Sequence, residues 1–214
     1  MANEFTIPED ITPRDFYQTL LAALFAARGA NTALKGFDTS VRVVVEGDGG
    51  GTWTIRLRDG AFGVARGPEA NPFVTLRQTR DDWQVTITKG IGKLLARMGE
   101  VTSTTDTAAA LSQAAGGLKM PAITFGAEKL KRLSVTKGSF HFDITGAEGG
   151  RTIRCSVLFN ETEKPNFVVT IKAEDYRAMA AGTLPPQQAF MQGKIQISGD
   201  VPFAMQLGMQ FLQP

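Results

Sequence analysis

Much of the usual equipment of an enzyme or a metalloprotein is scarce in this 214-residue chain, which holds one cysteine, Cys155, and one histidine, His141. A single cysteine excludes an internal disulfide framework, so nothing requires an oxidising compartment. Cys155 lies in a strand-like apolar stretch, where it reads as a small buried hydrophobe and not as a reactive thiol. One histidine and one distant cysteine are too few for a zinc ligand set, and no metal or other cofactor is expected. The 23 basic and 21 acidic residues leave a formal charge of +2, and the basic ones are scattered, which argues against a nucleic-acid partner. The most apolar early stretch, residues 20–27, is too short to span a bilayer. The N-terminus, Met-Ala-Asn-Glu-Phe, has no basic region and no long apolar run, so no secretory signal is expected and the expected location is cytoplasmic.

What is present is strong patterning. Thr12 is placed to cap a first helix, with Pro13 at its first position, Asp15 three residues after the cap and Ile11 able to staple against Phe16. Phe16, Leu20, Leu24 and Ala27 mark its apolar face. Strands follow over 41–46, 52–58, 61–65 and 72–78, with Gly-rich residues 47–51 and the Asp59-Gly60 pair between them, and together they predict an antiparallel meander. A short helix is expected around 83–88 and another over 91–98. Residues 100–121, rich in Thr, Ser, Ala and Gly, read as a connector. The second half follows the same outline, with strands over 139–144, 152–159 and 167–172 and a helix over 174–181.

The echo extends to the letters. Pro72-Phe73-Val74-Thr75-Leu76 running into Asp81-Asp82-Trp83 resembles Asn166-Phe167-Val168-Val169-Thr170 running into Glu174-Asp175-Tyr176, one residue shorter, and Gly90 parallels Gly182. These similarities predict a degenerate tandem organisation, with an N-terminal unit at 1–100, a connector at 101–124 and a C-terminal unit at 125–214.

No catalytic constellation emerges. Ser139, His141 and Asp143 share one strand face, but side chains two apart on one strand do not converge as a triad must, so a solvated face is expected. The Gly47-to-Gly51 run joins two strands and lacks the Gly-Lys-Ser/Thr ending of a phosphate loop. Asp81-Asp82 and Glu174-Asp175 stand at helix starts, where capping and the helix dipole explain them.

The most informative stretch is the C-terminal one. Lys194, Gln196 and Ser198 alternate with Ile195 and Ile197 as a strand does, Gly199 permits a sharp turn, and Asp200 is placed to cap a closing helix with Pro202 in its first turn. From Val201 to Leu212 that helix carries no formal charge, and its polar side chains are Gln206 and Gln210. A helix with only a thin glutamine stripe has two apolar surfaces, one for the core and one for something else.

These segments resemble a known family. Phe167-Val-Val-Thr-Ile-Lys-Ala-Glu-Asp-Tyr176, then Met179-Ala-Ala-Gly182, Pro186, the run Ala189-Phe190-Met191-Gln192-Gly193-Lys194-Ile195-Gln196-Ile197-Ser198-Gly199-Asp200, and Ala204-Met205-Gln206-Leu207 are similar to the C-terminal half of the sterol carrier protein type 2 (SCP-2) domain. The first half resembles the earlier portion of that domain more loosely and lacks a second Gln-Gly-Lys segment after Gly90.

The resemblance implies an α+β fold, a curved and mostly antiparallel sheet with helices over one face, around an apolar tunnel. It implies non-enzymatic binding or transfer of a lipid, such as a fatty acyl chain or a sterol, by a monomer or homodimer that makes transient membrane contact. Carried over by position, the tunnel wall is Phe190, Met191 and Gln192 before the glycine and Ala204, Met205, Leu207, Met209 and Phe211 on the last helix. Gln192, Gln206 and Gln210 are candidate neutral anchors for a headgroup. The alternative is a structural or dimerising accessory module with no lipid cargo.

Overall fold

In the computed structural model, residues 8–28, 30, 35–91, 132–160, 164–180 and 183–212 are described; at a few of these, Phe211 among them, the backbone alone is. The predicted helix at 91–98 and the connector lie almost entirely outside the described residues.

The first helix, α1, begins at Pro13–Asp15, passes through a π-type stretch at Phe16–Leu21 and ends as Ala22–Arg28. Its start is the one its letters predict, because the Thr12 hydroxyl accepts from the Asp15 N–H at 3.1 Å. Four strands follow, β1 (Asp38–Glu46), β2 (Gly51–Arg58), β3 (Ala61–Arg66) and β4 (Val74–Thr79). Helix α2 starts directly after β4 as Arg80–Val85 and continues as a π-type turn, Thr86–Ile91. Its β-branched residues are accommodated because the Thr86 and Thr88 hydroxyls donate back to the carbonyls of Asp82 and Gln84, each at 2.8 Å.

The second half supplies β5 (Gly138–Thr145), β6 (Ile153–Phe159), β7 (Phe167–Lys172), α3 (Ala173–Ala180), α4 (Pro186–Met191), β8 (Ile195–Gly199) and α5 (Val201–Leu212). All eight strands form one sheet in the order β3-β2-β1-β4-β6-β5-β7-β8. Neighbours are antiparallel except β1 with β4 and β5 with β7. The fold is therefore α+β, with a mixed but mostly antiparallel sheet.

The expected four-strand meander is corrected by this order. β1, β2 and β3 do form one, but β4 returns across the sheet and pairs with β1 in parallel. The crossing segment is held by short polar bonds: the Thr54 hydroxyl donates to the Gly67 carbonyl at 2.8 Å, and the Phe73 N–H donates to the Ser40 carbonyl at 2.9 Å. Antiparallel pairing with β3 would leave that segment without these partners.

The two halves place their strands in matching register. The parallel ladder from Val41↔Val74 to Glu46↔Thr79 has its counterpart from Phe140↔Phe167 to Thr145↔Lys172, and each runs into a helix at the next residue, Arg80 or Ala173. Where Phe73 donates to Ser40, Asn166 donates to the Ser139 carbonyl at 2.8 Å, so Phe73 corresponds to Asn166 and not to Phe167. The one-residue shortening read from the letters is thereby corrected: the two strand-to-helix stretches are equal in length. β4 and β6 meet antiparallel, from Val74↔Phe159 to Arg77↔Ser156, so the halves share one continuous sheet.

Strand alternation and these registers put one apolar face across the whole sheet, and the helices pack on it. Over the first half, Ile11, Phe16, Tyr17, Leu21, Trp83 and Ile87 close on Val43, Val45 and Trp53. Over the second, Leu133, Ala204 and Leu207 close on Val74, Phe159 and Phe167. The opposite face is polar, yet the solvated setting expected for Ser139 and Asp143 is wrong. Ser139 is buried under the crossing segment, its hydroxyl donating to the Lys164 carbonyl at 2.7 Å. Asp143 is buried because the guanidinium of Arg154, its cross-strand partner, covers it with bonds of 2.7 and 2.6 Å.

Candidate functional site

The closing segment is built as its letters suggest. Asp200 caps α5, its carboxylate accepting from the Phe203 N–H at 3.0 Å. Just before it, Gly199 adopts φ +99°, and a Cβ there would lie 2.5 Å from the Asn166 carbonyl oxygen, so the position requires glycine. The turn aims α5 back over β7 and β8.

Once there, α5 shows the two apolar surfaces that its lack of charge predicts. Ala204 and Leu207 are buried against Phe167, with Phe203 packed beside them. Val201, Met205 and Met209, spaced by four, form an exposed apolar stripe on the outside. Gln206 is exposed, whereas Gln210 accepts from the Thr136 hydroxyl at 3.1 Å and ties the helix to the segment before β5.

The eight predicted wall residues are accordingly divided. Ala204 and Leu207 face the sheet; Met205 and Met209 face outward. Phe190, Met191 and Gln192, at the end of α4, are exposed, Met191 to 80%. The side chain of Phe211 lies outside the described residues. The eight do not form one surface.

Sequence reasoning missed the stretch of sheet that remains incompletely covered. At the edge of the second buried cluster the apolar face carries Val157, Val169 and Ile197, packed against that cluster, with Phe142 and Cys155 beside them, all half-buried. Tyr176 of α3 packs against Phe142, its ring 6.1 Å from that of Phe142 in an edge-on contact, and remains 36% exposed. Burial raises the Tyr176 hydroxyl pKa and pushes the Cys155 thiol up to about 11, so both stay protonated and neutral. The alternation of Phe140, Phe142 and Ile144 signalled an apolar face, but not that its middle stays half-open.

The helix start above this floor is fixed by charge. The buried carboxylate of Asp175 pairs with the ammonium of Lys194, the residue that leads into β8. In the first half the corresponding Asp82 accepts from Arg151 Nη2 at 3.1 Å and from the Arg154 backbone N–H at 3.2 Å, at the start of β6.

On the polar face, His141 Nδ1 and the Ser156 hydroxyl are 2.9 Å apart. Desolvation, with the Arg154 guanidinium adding to it, lowers the His141 pKa, and Asp143 opposes the shift. No acid is seen to orient the imidazole among the described residues, since Asp143 is engaged by Arg154, so the pair lacks the third member of a triad.

A cavity of about 220 Å³ lies between Val85, Ala147, Arg151 and Ile153. A polar one of about 300 Å³ is bounded by Asp38, Arg56, Glu69, Asn71 and Asn160 among others. The described lining of neither includes a residue of α4 or α5. Among the described residues there is no group of three or more side chains able to hold a metal ion, and no helix long and apolar enough to cross a membrane.

Comparison with known proteins places these elements. Residues 117–211 match the SCP-2 sterol transfer family. Human sterol carrier protein 2 is 34% identical over 86 residues, which cover 36% of this chain and 16% of the human protein. The non-specific lipid-transfer protein-like 1 of Caenorhabditis elegans is 34% identical over 77 residues, 32% of this chain and 65% of the nematode protein. Among solved structures, the sterol carrier protein domain 2 of Helicoverpa armigera is 33% identical, with 35% of this chain and 66% of that one covered and a TM-score of 0.28. Sterol carrier protein 2 like 2 of Aedes aegypti is 30% identical over 34% of this chain and 72% of that one, also with a TM-score of 0.28. The matched part of the chain spans about a sixth of the length of the human relative. The family match takes in α3, α4, β8 and most of α5, and through residues 117–211 the chain belongs to the SCP-2 sterol transfer family.

Proposed function

We propose that the protein binds a lipid, without catalysis, on the half-covered apolar floor of its second half. The single observation that carries this reading is the coincidence of the family match with that floor: residues 117–211 include Phe142, Cys155, Val157, Val169, Tyr176 and Ile197. Relatives named as a sterol carrier and as a non-specific lipid-transfer protein support the class of cargo.

The physical argument is one of area. A hydrocarbon chain laid on this floor gains about 0.8 kcal/mol for each CH₂ removed from water, part of which is offset by the ordering of the ligand. No charged side chain belongs to the floor, so a lipid with an uncharged or weakly polar head fits best, with the Tyr176 hydroxyl as a polar neighbour.

In this reading the chain consists of an N-terminal unit at 1–100, a connector at 101–124 and a C-terminal unit at 125–214, the matching ladders of the two halves being the mark of a duplication. Ala204 and Leu207 hold α5 on the sheet beside the cargo. Phe190 and Met191 on α4, with Gln192 just after it, and Met205 and Met209 on α5 supply the apolar rim for transient contact with a membrane. The protein works in the cytoplasm as a monomer or homodimer.

Native mass spectrometry of protein purified without detergent, followed by lipid extraction, tests the proposal. Co-purifying lipid and saturable uptake of the fluorescent fatty acid cis-parinaric acid are the expected results. A chain that carries no lipid and leaves the probe unbound overturns it, and returns the fold to an accessory role.

A further inference from the structure

We infer that the chain holds one ligand seat and not two, because the first half fills its own seat with aromatic side chains, and that the residue at the position of Trp53 and Cys155 decides which half is open. This deepens the lipid-binding reading and rests on it.

The two positions correspond through backbone register. Val43 pairs with Trp53 across β1 and β2, and Phe142 pairs with Cys155 across β5 and β6. The parallel ladders that follow run rung for rung into α2 and α3, which sets Trp83 against Tyr176.

In the first half the space is closed. Trp53 and Trp83 are each 1% exposed. The Tyr17 ring stacks on Trp53 at 4.9 Å, the Trp83 indole N–H donates to the Tyr17 hydroxyl at 3.0 Å, and Phe16 packs edge-on against Tyr17 and Trp83 at 4.9 and 5.7 Å. The Trp53 N–H itself is enclosed and has no hydrogen-bond partner among the described residues, so among them that ring is held by packing. Rings interlocked in this way leave no room for a guest.

In the second half the indole is replaced by a thiol. Phe142 returns a ring where the first half has Val43, but phenyl and thiol together displace less volume than valine and indole. The exposures show that the difference is not made up: Phe142 and Cys155 are half-buried, and Tyr176 is 36% exposed where Trp83 is sealed. The guest class that follows is a slim, uncharged or weakly polar hydrocarbon chain lying across Cys155.

The stoichiometry of cis-parinaric acid binding, with thermal unfolding as the control for folding, tests this. One equivalent is expected for the wild type, none for Cys155→Trp with cooperative unfolding retained, and two for Trp53→Cys. Trp53→Phe, which keeps a ring in place, is expected to stay at one. A wild type that binds two equivalents, or a folded Cys155→Trp that still binds one with unchanged affinity, overturns the inference. A wild type that binds none refutes the lipid-carrier reading instead, and the filling of the first half is then read from benzene uptake, which Trp53→Cys gains and the wild type lacks. If Trp53→Cys does not fold, Tyr17→Ala opens the same space, and a folded Tyr17→Ala that takes up neither probe overturns the inference as well.

Discussion

Lys194 reaches across from the entry of β8 to the buried carboxylate of Asp175 in the first turn of α3, so two parts of the family signature that are far apart in sequence are one structural unit. The strand-to-helix junction and the Gln-Gly-Lys turn carry opposite charges for the same reason. A carboxylate buried at a helix start needs a cation, and the residue ahead of the neighbouring antiparallel strand is the one within reach. The Asp82 pairing with Arg151 and Arg154 solves the same problem in the first half with different letters.

Asp175→Asn is expected to lower unfolding stability by about 1 to 3 kcal/mol, because it strips the partner from an ammonium that is partly withdrawn from water. Urea denaturation measures the loss. The same experiment on Lys194→Gln is expected to give a similar figure, since the buried carboxylate is then the group left unpaired, and the double variant is expected to lose less than the sum.

The turn into α5 is rigid by necessity. At Gly199, Ala is expected to destabilise by about 2 kcal/mol or more, since φ is +99° and the new Cβ would press on the Asn166 backbone at 2.5 Å. Gly193 offers the contrast: its φ is +69° but a Cβ there meets nothing, so Gly193→Asn is expected to cost less than 1 kcal/mol. Thermal unfolding of the two variants separates clash from conformational strain.

Within α5 the two surfaces are expected to behave oppositely. Leu207→Ala removes a side chain that is 3% exposed in the core cluster and is expected to cost about 2 to 5 kcal/mol. Met209→Gln, at a position 56% exposed, is expected to change stability by no more than about 0.5 kcal/mol. Chemical denaturation checks both. On the proposed function, Met209→Gln slows exchange of cis-parinaric acid between protein and vesicles while leaving equilibrium binding intact.

The elements and caps were legible because local chemistry fixes them. Thr12 and Asp200 announce their helices by side-chain bonds to N–H groups three residues on, and period-two alternation marks the strands. The order of the strands was not legible. Nothing in the letters of β4 distinguishes pairing with β3 from pairing with β1, because the choice depends on where the crossing segment finds partners at Thr54 and Ser40. The site was half legible for a related reason. The charge-free helix revealed two apolar surfaces, but the sequence does not say that the sheet under Tyr176 stays half-covered, since Phe142 and Val169 carry the same pattern as the sealed Val43 and Val45.

The lone histidine yields the pH prediction. His141 is partly withdrawn from water and faces the Arg154 guanidinium, and both effects disfavour imidazolium, with Asp143 opposing them. Its pKa in the folded chain therefore lies below the ordinary 6.5. As pH falls through 6.5 the unfolded chain takes up a proton before the folded one does, so folding stability is constant above that value, declines below it and levels off once the folded form has titrated. His141→Gln is expected to remove this decline, because the amide does not titrate. Proton NMR of the imidazole gives the direct check: a midpoint below 6.5 in the wild type, together with a pH-dependent unfolding midpoint that His141→Gln flattens between pH 5 and pH 7. A midpoint at or above 6.5 instead means that Asp143, and not Arg154, governs the ring.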